Sequence, residues 1–349
     1  MQSEFKNKKI LVTGGTGSIG SVIIKSLLKY DPAQIRVLSR DESKQHALAQ
    51  ELGGNMKVRL LIGDIRNKER VYKAMENIDI VFHAAAMKHV LACENDPFEA
   101  VETNVRGMQN IIDCAMAHDV EKVVGVSTDK ATDPVSVMGC TKLLAEKMML
   151  AHYMGSHPTK FCFVRFGNVL NSRGSVLPIF YKQIAKGGPV TVTDRNVTRF
   201  FMSIKDAVDL VFQASNIMQD REIFVLKKMS VVRIYDLAKA MIELYAPAFG
   251  HDPKKIKIDI TGLKRGERMS EKLLTKDESR YALENKDMYI ITPVINYGAN
   301  ASPEYPDSKK CRVGDYTTEG KKCLSVGGIK KLLLNEDYRL NGTINNCYN

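Results

Sequence analysis

The stretch Ser127-Thr128-Asp129-Lys130-Ala131, followed by Met138-Gly139-Cys140-Thr141-Lys142, sets a carboxylic acid, an amine and a second lysine close together. A carboxyl and an amine can serve as proton donor and acceptor once their surroundings move both ionisations toward neutral pH. An isolated Asp-Lys dipeptide is ordinarily an exposed ion pair of little consequence. Here it follows Val123, Val124 and Val126, an apolar run that reads as a buried parallel strand. Open α/β sheets do their chemistry at the carboxyl ends of such strands, which is where this cluster falls.

The elements upstream fit that placement. Lys9 to Thr13 reads as a strand, Gly14 to Gly20 as a glycine-rich turn with GxxGxxG spacing, and Ser21 to Tyr30 as a helix. That order puts bare N–H groups at a helix start, where a pyrophosphate can approach. Gly14, Thr16, Gly17, Ser18, Ile19 and Gly20 are therefore candidate cofactor residues. A second strand, Ile35 to Leu38, ends in Ser39-Arg40-Asp41. An acid at that tip would bind the ribose hydroxyl of NAD, whereas Ser39 and Arg40, with Lys44 one turn on, favour the 2′-phosphate of NADP. The expected cofactor is thus NADP in preference to NAD. Val58 to Ile62 forms the third strand, with Asp64 and Ile65 at its tip near the adenine. The strand Ile80 to His83 leads into Ala84-Ala85-Ala86, small enough for a dinucleotide to approach, and then to Lys88 and His89, expected in the same crevice. His83 itself reads as a packed histidine. Asn104 lies on the apolar face of a helix spanning Pro97 to Ala117, where its amide needs partners. A helix from Thr141 to Tyr153 carries Lys142 in its first turn, and Phe161 to Phe166 is the sixth strand.

Six alternations of strand and helix indicate an α/β, Rossmann-like, doubly wound parallel sheet. Residues 1–168, with 203–228 returning to the sheet, form the expected NADP-binding domain; 169–298 form a smaller mixed substrate lobe and 299–349 an irregular extension with a helix near Val326 to Leu334. The net charge of +11 and pI near 9.2 come from Lys and Arg spread along the whole chain. Such a distribution favours an anionic small molecule over nucleic acid. Seven cysteines without a CxxC pair or histidine spacing point to reduced thiols and no metal site. The polar start and the lack of a long apolar run lead us to expect a cytoplasmic protein with no membrane partner.

The combination of TGGTGSIG, SRDE, HAAAMKHV, STDKA, MGCTK, RFGNVLNSRGSV, TRFFM and GLKRGER, in order from about residue 8 to 275, resembles the extended short-chain dehydrogenase/reductase superfamily. Within it the chain is similar to the UDP-N-acetylglucosamine 4,6-dehydratases of polysaccharide synthesis. One departure concerns the YxxxK pair, whose tyrosine position is Met138, and a thioether is no base. The resemblance implies oxidation of sugar C4 by hydride transfer to NADP, removal of the C5 proton by Lys130, protonation of the departing 6-hydroxyl by Asp129, and return of the hydride to C6. Thr128 and Lys142 are then the candidates for handling the 4-hydroxyl, Lys142 also holding the nicotinamide ribose. It further implies that Lys88, His89, Asn168, Arg173, Gly174, Ser175, Val176, Thr193, Arg199, Arg265 and Glu267 bind the UDP-sugar, and that the protein is a homo-oligomer. A UDP-sugar 4-epimerase and a non-catalytic nucleotide-binding protein are the alternatives.

Overall fold

A computed structural model describes residues 2–151, 157–293, 305 and 307–335. The chain divides into two compact units, one built from Met1–Phe166, Lys205–Lys228 and Leu273–Tyr316, the other from Gly167–Ile204, Met229–Lys272 and Thr317–Asn349.

In the first unit β1 (Lys9–Thr13), α1 (Ser18–Leu27), β2 (Gln34–Ser39), α2 (Glu42–Glu51), β3 (Val58–Ile62), α3 (Lys68–Met75) and β4 (Ile80–His83) alternate as expected. They are followed by α4 (Val90–Asn95), α5 (Pro97–Val101), α6 (Gly107–Ala117), β5 (Lys122–Val126), α7 (Val137–Leu150) and β6 (Lys160–Arg165). The sheet runs β6-β5-β4-β1-β2-β3, and Glu222–Leu226 adds a parallel strand beside β6. Residues of β1, β4 and β5 are almost wholly buried, as apolar strands covered on both faces must be. Strand order reverses between β1 and β4, which opens the crevice used by dinucleotides in this topology.

Four expectations are corrected. Ala282–Glu284, Met288–Ile291 and Lys309–Lys310 extend the large sheet by antiparallel pairing, so residues 273–293 belong to the first unit and not to the substrate lobe. The separate extension expected after 299 is divided between the two units at Tyr316 and Thr317, and its helix, present at Val326–Asn335 as expected, buries Ile329 and Leu333 in the core of the second unit. The helix expected to begin at Thr141 begins at Val137, because the Ser136 hydroxyl accepts the Gly139 N–H at 3.1 Å and caps it. Lys142 therefore sits in its second turn. The expected helix from Pro97 to Ala117 is interrupted by a π-turn at Glu102–Arg106, a local widening of the kind often found at functional sites.

In the second unit Thr198–Met202 pairs parallel with Asn168–Val169 and antiparallel with Ser230–Arg233, while Val190–Val192 pairs with Ile258–Ile260. Helices Val176–Ala185 and Ile234–Tyr245 pack Leu177, Phe180, Leu237 and Met241 into its core. Among the described residues no helix is long and apolar enough to cross a membrane.

Candidate active site

The glycine turn is shaped for a close backbone approach. Gly14 has a φ of +66°, and a Cβ there would lie 2.7 Å from the backbone of Ala85, so the turn rests directly on the small-residue run after β4. A Cβ on Gly20 would lie 2.4 Å from the Gly14 carbonyl, which lets α1 start against the turn. Gly17 is the N-cap of α1 and contributes no side-chain cap, leaving the first-turn N–H groups of that helix available to an anion. These features fit the diphosphate of a dinucleotide. Gly14→Ala is expected to abolish cofactor binding, measured by fluorescence titration, since no neighbouring side chain can move to admit the methyl group.

At the tip of β2, Ser39 accepts the Thr16 N–H at 3.2 Å and Arg40 is exposed. Asp41, the acid that could have competed for a ribose, is committed elsewhere. Its carboxylate caps α2 through the Lys44 N–H at 2.9 Å and binds the Lys44 ammonium at 2.5 Å, so Lys44 is engaged with it. Asp64 is likewise held by Arg66, whose Nε lies at 2.9 Å; burial pushes its carboxyl up, but these bonds bring it below the ordinary carboxylate range. Ile65 is buried against Gly107 rather than presented to a ligand. Asn104, expected to touch the cofactor, spends its amide within the protein. Its oxygen accepts the Met87 N–H at 2.8 Å and its nitrogen donates to Met87 O and Thr141 Oγ1, both at 3.0 Å. The π-turn thus aims Asn104 at the loop carrying Ala84 to Lys88 and fastens that loop to α7. Lys88 and His89 are exposed; burial and the Lys88 charge lower the His89 pKa.

Beyond β5 the chain makes a single 3₁₀ turn, Asp129–Ala131, pinned by the Asp129 N–H to the Phe166 carbonyl at 3.1 Å. Asp129 is fully buried. Its Oδ1 accepts Thr128 Oγ1 at 2.8 Å and Lys130 Nζ at 2.9 Å, while Oδ2 has no partner among the described residues. The Lys130 side chain remains a quarter exposed. Helix α7 can abut this turn because Gly139 lacks a side chain; a Cβ there would meet the Lys130 carbonyl at 2.3 Å. Met138, at the tyrosine position, points into a small apolar cluster with Cys93 and Ala100 and is 3 % exposed. At the position of the family's catalytic tyrosine this side chain therefore serves packing.

Lys142 is buried and donates to the Val126 carbonyl at 2.7 Å. Burial lowers its pKa to about 8, the Glu146 charge opposing the shift. Nearby His83, hydrogen-bonded through Nδ1 to Thr13 Oγ1 at 2.7 Å, is brought down to about 3 by burial and by Lys142, so it is neutral and packed as expected. Three residues without an expected role complete this end of the sheet. Glu146, Arg165 and Ser127 form a buried network with Glu278. The i,i+4 spacing of Lys142 and Glu146 was the only local signal for it.

In the second unit, Thr193 donates to Glu267 at 2.8 Å and the buried Arg199 lies 3.4 Å from both Glu267 and Glu271. Arg199, Glu267 and Thr193 are thus brought together. Arg173 and Arg265 are exposed, Gly174 has a φ of +70°, and Ser175 caps the helix opening at Val176 without a side-chain bond. Asn168 lies on the short strand before this turn.

Comparison with known proteins accords with this geometry. The family model described as polysaccharide biosynthesis protein matches residues 10–293. The chain is 48% identical to an uncharacterized membrane protein of Methanocaldococcus jannaschii over 96% of this chain and 97% of that one. It is 41% identical to the inverting UDP-N-acetylglucosamine 4,6-dehydratase of Campylobacter jejuni (83% and 84%), and 38% identical to the UDP-glucose 4-epimerase of Rickettsia conorii (96% and 97%). Among solved structures, Pen from Bacillus thuringiensis superposes with a TM-score of 0.88 at 43% identity, covering 96% of this chain and 99% of that one. A Streptomyces venezuelae dTDP-glucose 4,6-dehydratase with NAD bound shares the fold at 21% identity and a TM-score of 0.68, over 75% and 86%. On these matches the chain belongs to the polysaccharide biosynthesis protein family, within the extended short-chain dehydrogenase/reductase superfamily, and is an enzyme of the nucleotide-sugar dehydratase and epimerase type.

Proposed function

We propose that the protein is a UDP-N-acetylglucosamine 4,6-dehydratase acting in surface polysaccharide or glycan synthesis. The observation that carries this reading is the 2.9 Å contact between Lys130 and a fully buried Asp129 whose second oxygen is unpartnered among the described residues. That bond sets the amine and the carboxyl side by side, the amine assigned to take the C5 proton and the carboxyl to protonate the departing 6-hydroxyl. Thr128 orients the carboxylate through its own hydroxyl. A bound nicotinamide supplies hydride acceptance from C4 and its return at C6. NADP is the proposed form, supported by the exposed Arg40 at the β2 tip and by the commitment of Asp41 to capping. In the second unit Arg173 and Arg265, both exposed, and the buried Arg199 are the guanidinium groups assigned to the diphosphate.

A homo-oligomer is part of the same proposal. Leu91, Phe98, Val101, Val135 and Leu144, on or beside α4, α5 and α7, are all exposed, Phe98 at 83 %. Such a group of apolar side chains on neighbouring helices suits a subunit contact. A cytoplasmic site of action is supported by the six described cysteines, all free thiols.

A UDP-sugar 4-epimerase is the second reading, favoured by the Rickettsia conorii relative that spans nearly the whole chain. Incubation with UDP-N-acetylglucosamine in deuterated water separates the two. Loss of water with deuterium at C5 is the expected result; interconversion with UDP-N-acetylgalactosamine without water loss would establish the epimerase. No turnover would favour a non-catalytic nucleotide-binding role.

A further inference from the structure

Glu146 lies one helical turn after Lys142 on α7 and is wholly buried. Its Oε1 accepts Ser127 Oγ and Arg165 Nε, the latter at 2.9 Å, and its Oε2 accepts Arg165 NH2 at 2.6 Å. On its other edge the same guanidinium makes bonds of 2.8 and 3.0 Å to the two oxygens of Glu278, and NH1 reaches the Leu273 carbonyl at 3.3 Å. Two carboxylates therefore share one guanidinium, and the Lys142 ammonium, one helical turn before Glu146, lies within reach of the negative charge on the Glu146 side. Ser127 directly precedes the Thr128-Asp129-Lys130 turn, so its bond to Glu146 also ties the end of β5 to α7.

We propose that Glu146, clamped by Arg165, is a positioning residue that holds the catalytic turn against α7 and governs the charge carried by Lys142. The proposal rests on the dehydratase reading only in taking Lys142 as part of the site. The groups facing Lys142 are the neutral His83 from β4, the Val126 carbonyl from β5 and Glu146 from its own helix. Those facing Glu146 are Ser127 from β5 and Arg165 from β6, with Glu278, itself near Lys147, beyond the guanidinium. Burial lowers the Lys142 pKa and the Glu146 charge opposes the fall, leaving it at about 8. A lysine poised there can exchange a proton with a sugar hydroxyl at neutral pH, a task that the thioether of Met138 cannot perform.

The test is a direct titration of Lys142 in the full chain labelled with ¹³C at the lysine ε-carbon, its NMR signal assigned by loss in Lys142→Arg. Glu146→Gln is expected to lower the midpoint by about one pH unit, the order for a unit charge one helical turn away in a partly screened interior. Glu146→Asp, which keeps the charge, should restore it. The acid limb of the kcat profile should move with the midpoint. Should Glu146→Gln fail to fold, Glu278→Gln decides, with a smaller fall expected because Arg165 then weighs more heavily on Lys142. An unmoved midpoint in the folded variant overturns the proposal. If the parent protein converts no UDP-hexose, the functional reading falls while the titration still decides the role of Glu146.

Discussion

Replacing Lys130 by alanine is expected to lower kcat for water loss by about 10²–10⁴-fold, the usual contribution of a positioned proton-transfer group, with UDP and cofactor affinities retained. The side chain is a quarter exposed, and retained UDP and cofactor binding would show that the truncated protein is still folded. What truncation removes is the hydrogen-bond partner of Asp129 Oδ1, leaving that carboxyl buried with only the Thr128 hydroxyl. Asp129 and Thr128 stay in place, while the group assigned to accept the C5 proton is gone. Deuterium exchange at C5 should therefore disappear together with water loss. Lys130→Arg sharpens the test. A guanidinium keeps the ion pair with Asp129 but cannot give up its proton in a protein. A base is thus lost in both variants, whereas a merely electrostatic partner is preserved in the second. Full turnover by Lys130→Arg, read as product formation by NMR, would remove Lys130 from the chemistry.

The parts of the molecule legible in its sequence were those whose determinants are local. The β1 run, the glycine turn after it and the apolar β5 ahead of Asp129 and Lys130 each lie within a few residues, and strand-helix alternation then fixed the parallel sheet. The start of α7 was missed because Thr141 resembles a cap as much as Ser136 does, and only the Ser136 bond to the Gly139 N–H decides between them. Asn104 was recognised as a buried amide, but its partner Met87 lies 17 residues away across a π-turn that no periodicity announces. The antiparallel strands at Ala282–Glu284 and Met288–Ile291 are three and four residues long, too short to show a period, and their pairing is a property of the sheet edge. Arg165 was visible as a residue at a strand end. Its value as a buried cation depends on Glu146 and Glu278, 19 and 113 residues distant, which only folding brings to it.

That separation makes Arg165 the residue whose loss should cost most in stability. Arg165→Met keeps much of the side-chain length and removes the charge, which leaves Glu146 fully buried with Ser127 as its remaining partner. Stranding one member of a buried ion pair costs about 3–5 kcal/mol, against which Glu278, a fifth exposed, can recover some hydration. The pH dependence should flatten as well. In the parent, burial pushes Glu278 up, but the Arg165 charge and bonds hold it below the ordinary carboxylate value of 4.5. Its contribution is therefore complete above that value and is lost as pH falls through the lower folded-state value. Arg165→Met removes the charge and bonds that hold Glu278 down, so this acid-side loss should shrink. Urea unfolding followed from neutral pH down to the carboxylate range should show the parent weakening toward acid more steeply than the variant. Parallel slopes in the two proteins would mean that the guanidinium does not carry these carboxylates.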